Sequence, residues 1–84
     1  MAQLYKANGE AFSVHPKNGT DFELEELQEM VGGLIEIVHL PKGMIAVVNE
    51  EGMILELPLN DAMAVLFGMP LWGDVLVCKS EEVK

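Results

Sequence analysis

Leu34-Ile35-Glu36-Ile37-Val38-His39-Leu40-Pro41-Lys42-Gly43-Met44-Ile45-Ala46-Val47-Val48-Asn49-Glu50-Glu51-Gly52-Met53-Ile54-Leu55-Glu56-Leu57 is the stretch on which the fold turns. It holds three apolar, β-branched runs, residues 34–40, 44–48 and 53–57, each of strand length. Between them lie two turn signals. Leu40-Pro41-Lys42-Gly43 sets proline where its fixed φ suits a turn, and Asn49-Glu50-Glu51-Gly52 ends on a glycine able to take positive φ. Short turns between strands predict antiparallel pairing, so this stretch reads as a three-stranded meander.

On the N-terminal side, Gly32-Gly33 ends a helix whose apolar stripe is Leu24, Leu27, Met30 and Val31. Thr20 followed three residues on by Glu23 is a capping-box signal, and Asp21, Glu23, Glu25 and Glu26 favour the positive end of the helix dipole. Before it, His15-Pro16-Lys17-Asn18-Gly19 reads as a loop, and Asn8-Gly9 as the turn of a hairpin joining residues 3–6 to 11–14. On the C-terminal side, Asn60 caps a two-turn helix over 61–67, apolar at Ala62, Val65 and Leu66 and stopped by Gly68. A loop over 69–74 leads to a last strand at 75–78, and the charged residues 79–84 read as a frayed tail. The expected fold class is α+β: a mostly antiparallel sheet of about five to six short strands, curled into a partial barrel, with two helices packed on it. Such a sheet leaves an edge through which copies can pair, so a homo-oligomer is expected.

The chain has 84 residues, which is room for one core, and residues 1–84 read as a single domain. Half the residues are apolar, enough to exclude disorder. Against 14 Asp and Glu stand 5 Lys and no Arg, a net charge of −9. Phosphate neutralisation by basic side chains drives nucleic-acid binding, so that partner is excluded, and anionic membrane surfaces are disfavoured by the same repulsion. Cys78 is the sole cysteine and the two histidines, His15 and His39, stand apart, so neither an internal disulfide nor a four-ligand zinc site is expected. No apolar run approaches membrane-spanning length, and the first six residues lack the apolar core of a signal peptide. The expected location is therefore the cytoplasm, with no cofactor.

Catalytic patterns are scarce. No nucleophile elbow, phosphate loop or metalloprotease motif occurs, and Cys78 sits in the apolar run Val75-Leu76-Val77-Cys78. Binding residues are easier to find. Gly32 and Gly33 offer side-chain-free backbone, and Glu36 shares a strand face with Leu34 and Val38, where a carboxylate needs a partner. Asn49 and Asp74 bring an amide and a carboxylate, and Trp72, between Pro70 and Gly73, offers a platform for a planar ring. Met44, Met53, Met63 and Met69 read as core filler.

Four landmarks fall in one order: Val31-Gly32-Gly33-Leu34-Ile35-Glu36, Val47-Val48-Asn49-Glu50-Glu51-Gly52, Leu57-Pro58-Leu59-Asn60, and Gly73-Asp74-Val75-Leu76-Val77. Together they resemble a family of small domains of unknown function common in bacteriophages and in mobile elements of gut bacteria. The chain departs from it where the family usually has an aromatic (Leu34) and a small aliphatic (Trp72), so the resemblance assigns Trp72 no family-wide role. The resemblance implies work in the host cytosol and carries no established activity. The expected function is a non-enzymatic binding protein that sequesters a small ligand, such as a nucleotide-derived host defence signal, at Gly32, Gly33, Glu36, Asn49, Trp72 and Asp74. The alternative is an acidic inhibitor docking on a basic host protein, a nucleic-acid mimic.

Overall fold

In the computed structural model, which describes residues 2–83, the turn at Asn8-Gly9 folds β1 (Ala2–Tyr5) onto β2 (Ala11–Val14). Lys6 N–H donates to the Glu10 carbonyl at 2.8 Å, and Asn8 Oδ1 accepts from Glu10 N–H at 2.9 Å. Then follow α1 (Leu24–Val31), β3 (Ile35–His39), a single 3-10 turn at Pro41–Gly43 and β4 (Met44–Asn49). The chain ends with α2 (Asp61–Phe67), β5 (Val75–Lys79) and a second 3-10 turn at Ser80–Glu82. The strands form one antiparallel sheet in the order β2-β1-β5-β4-β3. The fold is therefore α+β, as the runs and turns predict.

Each face of the sheet is covered, and strand alternation sorts the side chains between them. Ile45 and Val47 of β4 and Leu76 and Cys78 of β5 face α1, where they meet Ala2, Phe22, Leu27 and Val31. Ala46, Val48, Val75 and Val77 face the other way, onto Met63 of α2 and Leu40. Strands buried on both faces read as unbroken apolar runs, which is the pattern of Val75-Leu76-Val77-Cys78. No helix among the described residues is long and apolar enough to cross a membrane.

Five expectations are corrected. The sheet has five strands and is not closed: β2 and β3 lie at opposite ends, so the partial barrel does not form. Residues 53–57 are not a strand. A third meander strand would need the far side of β4, and β5 already occupies it. The segment instead bonds to itself, Leu55 N–H to Glu51 O at 2.8 Å and Leu57 N–H to Gly52 O at 3.0 Å, with Glu56 at φ +55°. Met53, expected in the core, is 68% exposed on this segment.

The first helix also starts later than Thr20 and Glu23 imply. Asn18 Oδ1 takes the N–H groups of Thr20 and Asp21, each at 2.9 Å, and holds them in a turn. Phe22 is fully buried and donates its N–H to Glu82 O at 2.6 Å, which keeps the chain extended there. Glu23 becomes the N-cap, and the capping box moves three residues on to Glu23 and Glu26. Glu26 is buried, its carboxylate accepting from Glu23 N–H at 3.2 Å and from Lys17 N–H at 3.1 Å. Finally, the tail is not frayed over residues 79–83. Phe22 and Val83 form a bridge, and Val83 packs against the α1-side core; Lys84 lies outside the described residues.

Candidate functional site

A recess opens beside β3, on the face away from α1. Its floor comes from alternation: Glu36 pairs with Val48 and Val38 with Ala46, so Glu36, Val38 and Val48 project to one side. Leu71 and Trp72 wall it on one flank, with the 49–53 turn on another, enclosing about 160 Å³. That is about five waters' worth of space at some 30 Å³ each. Ligand pockets for drug-sized molecules run from about 300 Å³ upward. The hollow therefore suits one ring or one side chain.

Trp72 is held by backbone. Asn60 N–H donates to Leu71 O at 2.8 Å and Gly73 N–H to Pro58 O at 2.7 Å, while Leu59 and Trp72 form an antiparallel bridge. Gly52 lies against the root of the Trp72 side chain: a Cβ there would stand 3.2 Å from both Trp72 Cβ and Trp72 O. A side chain there would force its neighbours to give by a few tenths of an ångström. Gly73 fills a similar need at φ +83°, where a Cβ would meet Leu57 Cδ1 at 2.9 Å.

Asn60 locks the arrangement from below. It is fully buried; Nδ2 donates to Tyr5 O at 2.8 Å and to Gly73 O at 2.9 Å, and Oδ1 accepts from Met63 N–H at 3.2 Å. One side chain thus caps α2 and ties the end of β1 to the Trp72 loop. The sequence marks Asn60 as a cap; the two long-range bonds have no local signal.

The six candidate residues divide. Glu36 and Trp72 line the recess, and so does Asn49. The Asn49 amide, however, is committed elsewhere: Nδ2 donates to Val31 O at 3.1 Å and Oδ1 accepts from Glu51 N–H at 2.8 Å. It joins α1 to the turn after β4, and those two bonds fix how its amide is turned. Gly32 and Gly33 lie outside. Gly32 is the left-handed cap of α1 at φ +80°, its N–H bonded to Gln28 O at 2.8 Å. Gly33 leaves room for Asn49, whose Nδ2 would lie 3.0 Å from an added Cβ. Asp74 is also outside: its carboxylate accepts from Ala7 N–H at 2.9 Å and faces Lys6 Nζ at 3.5 Å, closing the end of β1. Val38, Val48, Glu50, Gly52, Met53 and Leu71 complete the recess without having been candidates. Val38 had a legible signal, since it shares Glu36's strand face; Val48 is brought in by pairing opposite Glu36 on β4, and the others by the 49–53 turn and by the loop after α2.

The chemistry on offer is recognition. Glu36 is exposed on the recess wall and, with Glu50, supplies carboxylate acceptors over an apolar floor. Neither Lys nor Arg lines it. Cys78 points into the core, where burial, with the negative charge of Glu82 adding to it, pushes its thiol up to about 11. At neutral pH it is a protonated core group, unlike the thiolates that act as nucleophiles. His39 is exposed on the outer strand, on the face opposite Glu36. Among the described residues no group of three or more His, Cys, Asp or Glu is placed to hold a metal ion.

Neither a curated protein nor a solved structure matches the chain. A family model does: residues 4–84 fit the Domain of unknown function (DUF3846). That match spans nearly the whole sequence, so the chain belongs to the DUF3846 family, whose function is not known.

Proposed function

We propose that this protein is a non-catalytic binding module whose recess beside β3 captures one planar ring bearing hydrogen-bond donors, as an amino-substituted nucleobase does. The observation that carries the reading is the combination at one small hollow: an indole wall at Trp72, an apolar floor at Val38 and Val48, and carboxylates at Glu36 and Glu50. Aromatic faces stack on planar rings, and carboxylates accept from exocyclic amines. The same carboxylates repel phosphate, and no basic side chain offsets them there. The ring would enter and any phosphate would stay outside, which favours nucleobases, nucleosides and derivatives whose charge is remote from the base. The resemblance to domains of phages and mobile elements supports a use in the infected host's cytosol, where sequestering a nucleotide-derived defence signal would serve the invader.

The test is thermal unfolding with a panel of free bases, nucleosides and nucleotides. A ligand at about 100 times its dissociation constant adds roughly 2.7 kcal/mol, which for a domain this small raises Tm by about 10–20 °C. Stabilisation by amine-bearing bases or nucleosides, lost in Trp72→Ala and Glu36→Gln, is the expected result. A panel without one stabilising member, run on folded protein, would refute it.

A second reading, docking on a host protein, draws on a different observation. Residues 53–67 expose Met53, Ile54, Leu55, Val65 and Leu66, with Ile54 at 79% and Val65 at 83%. An acidic inhibitor meeting a basic partner would bind less tightly as salt rises, whereas stacking in the recess would be little affected.

A further inference from the structure

The sheet ends on β3, and the phase of its ladder decides which backbone groups that edge presents. Glu50 N–H donates to Leu34 O at 2.8 Å and Leu40 N–H donates to Met44 O at 2.9 Å, so the even-numbered residues from 34 to 40 bond inward to β4. In an antiparallel pair the bonding residues alternate. The N–H and C=O groups of Ile35, Ile37 and His39 therefore point out from the free edge, and no backbone hydrogen bond reaches them among the described residues. The other edge is poorer. Lys6 N–H bonds to Glu10 O, so by the same phase β2 turns only Ala11 and Ser13 outward.

We infer that the free edge of β3 pairs antiparallel with β3 of a second copy, about a two-fold axis through Ile37, merging the two sheets. In this register Ile37 meets Ile37 of the second copy, and Ile35 meets His39. All three outward residues of each strand then find an outward partner, giving about six hydrogen bonds by the antiparallel rule. Shifting the axis to Glu36 or to Val38 leaves one outward residue of each strand unmatched. The Glu36-centred shift also sets two carboxylates directly opposite, at the short non-bonded spacing where like charges destabilise. With the axis at Ile37, Glu36 lies opposite Val38 instead, so two chains of charge −9 meet without opposing charges on the strand. Apolar surface supports the same edge: Ile37 is 39% exposed and Leu34 55%. Edge strands usually carry protection against such pairing, and β3 has no proline, lysine or bulge within it. The pairing also brings Glu36 of the second copy beside Val38, at the border of the recess, but it does not depend on the recess holding a ligand.

Sedimentation velocity over a concentration series, together with cysteine cross-linking, tests this. Wild-type protein should sediment as a concentration-dependent dimer. Ile37→Lys, which sets two ammonium groups on the axis at an already exposed position, should raise the dissociation constant at least tenfold while circular dichroism shows the native fold. Opposed residues of a bonded antiparallel pair lie about 5.5 Å apart at Cα, inside the disulfide range. Under mild oxidation Ile37→Cys should therefore cross-link rapidly, and Glu36→Cys and Val38→Cys should not; Cys78, buried, does not compete. A monomer at every concentration, a dimer unaffected by Ile37→Lys, or cross-linking at 36 or 38 in preference to 37 would overturn the proposal. If Ile37→Lys fails to fold, the three cysteine variants decide alone.

Discussion

Replacing Asn60 separates two jobs that one amide performs. Asn60→Ala removes the α2 cap, worth about 1 kcal/mol, and strips the carbonyls of Tyr5 and Gly73 of a donor in a fully buried site. At roughly 1 kcal/mol for each of these two hydrogen bonds lost, the total is about 3 kcal/mol. For a domain of this length that lowers Tm by some 12–24 °C, a large share of a stability expected to lie near 5–15 kcal/mol. Asn60→Asp is the sharper variant. It keeps a cap oxygen for Met63 N–H but turns an oxygen toward two carbonyls that sit 2.8 and 2.9 Å from the native nitrogen. At pH 7 it should be at least as damaging as alanine. Burial and the two carbonyl dipoles raise the folded-state pKa of the introduced carboxyl above its unfolded value near about 4. The added penalty is then complete above the raised pKa and shrinks as pH falls toward 4, where a protonated carboxyl can donate one of the lost bonds. Thermal and urea unfolding followed by circular dichroism, each variant against wild type at the same pH, measures this. An Asn60→Asp protein within about 0.5 kcal/mol of wild type at pH 7 would show that the cap alone matters and that the ties to Tyr5 and Gly73 carry nothing.

Three further outcomes concern the core, the recess and the cap of α1. Burial lifts the Cys78 thiol from 9.0 to about 11, so the folded state holds this proton more tightly than the unfolded chain; the resulting stabilisation, about 2–3 kcal/mol, is complete below pH 9 and is lost as pH rises through 11. Unfolding in denaturant across pH 8–11 should show that extra loss in wild type and not in Cys78→Ala. Gly52→Ala should cost about 1–3 kcal/mol by pressing a methyl group onto Trp72, and should alter the near-ultraviolet circular dichroism of the indole. Gly32→Ala, strained at φ +80° but opening into free space, should cost about 1 kcal/mol and leave that signal unchanged.

Much of the fold is written in local chemistry. Asn8-Gly9 sets the first hairpin, Asn60 and Gly68 bracket α2, and Pro41 to Gly43 turn β3 into β4, because each depends on the residues' own φ preferences or side-chain bonds. What the local pattern cannot carry is which strand fills the far side of β4. Residues 53–57 have strand composition, yet β5 holds that place, and the segment closes on itself with its apolar side chains outward. The helix start fails for a related reason. Thr20 and Glu23 form a valid capping signal, but burial of Phe22 against the chain's end outweighs a cap worth about 1 kcal/mol. The recess shows the same division. Glu36 and Trp72 were legible as a carboxylate on an apolar strand face and an aromatic ring in a loop between Pro70 and Gly73. Gly32, Gly33 and Asp74 turned out to shape the backbone around it, and Asn49 is spent on holding α1 to the sheet.

The most direct measurement of the binding reading is an NMR titration with adenosine, cytidine and guanosine, following backbone amides and the single indole N–H. Saturable shifts confined to Glu36, Val38, Val48, the 49–53 turn and the Trp72 indole are the predicted result. An unmoved indole at the solubility limit of all three, or shifts centred on the outer face of α2, would contradict it.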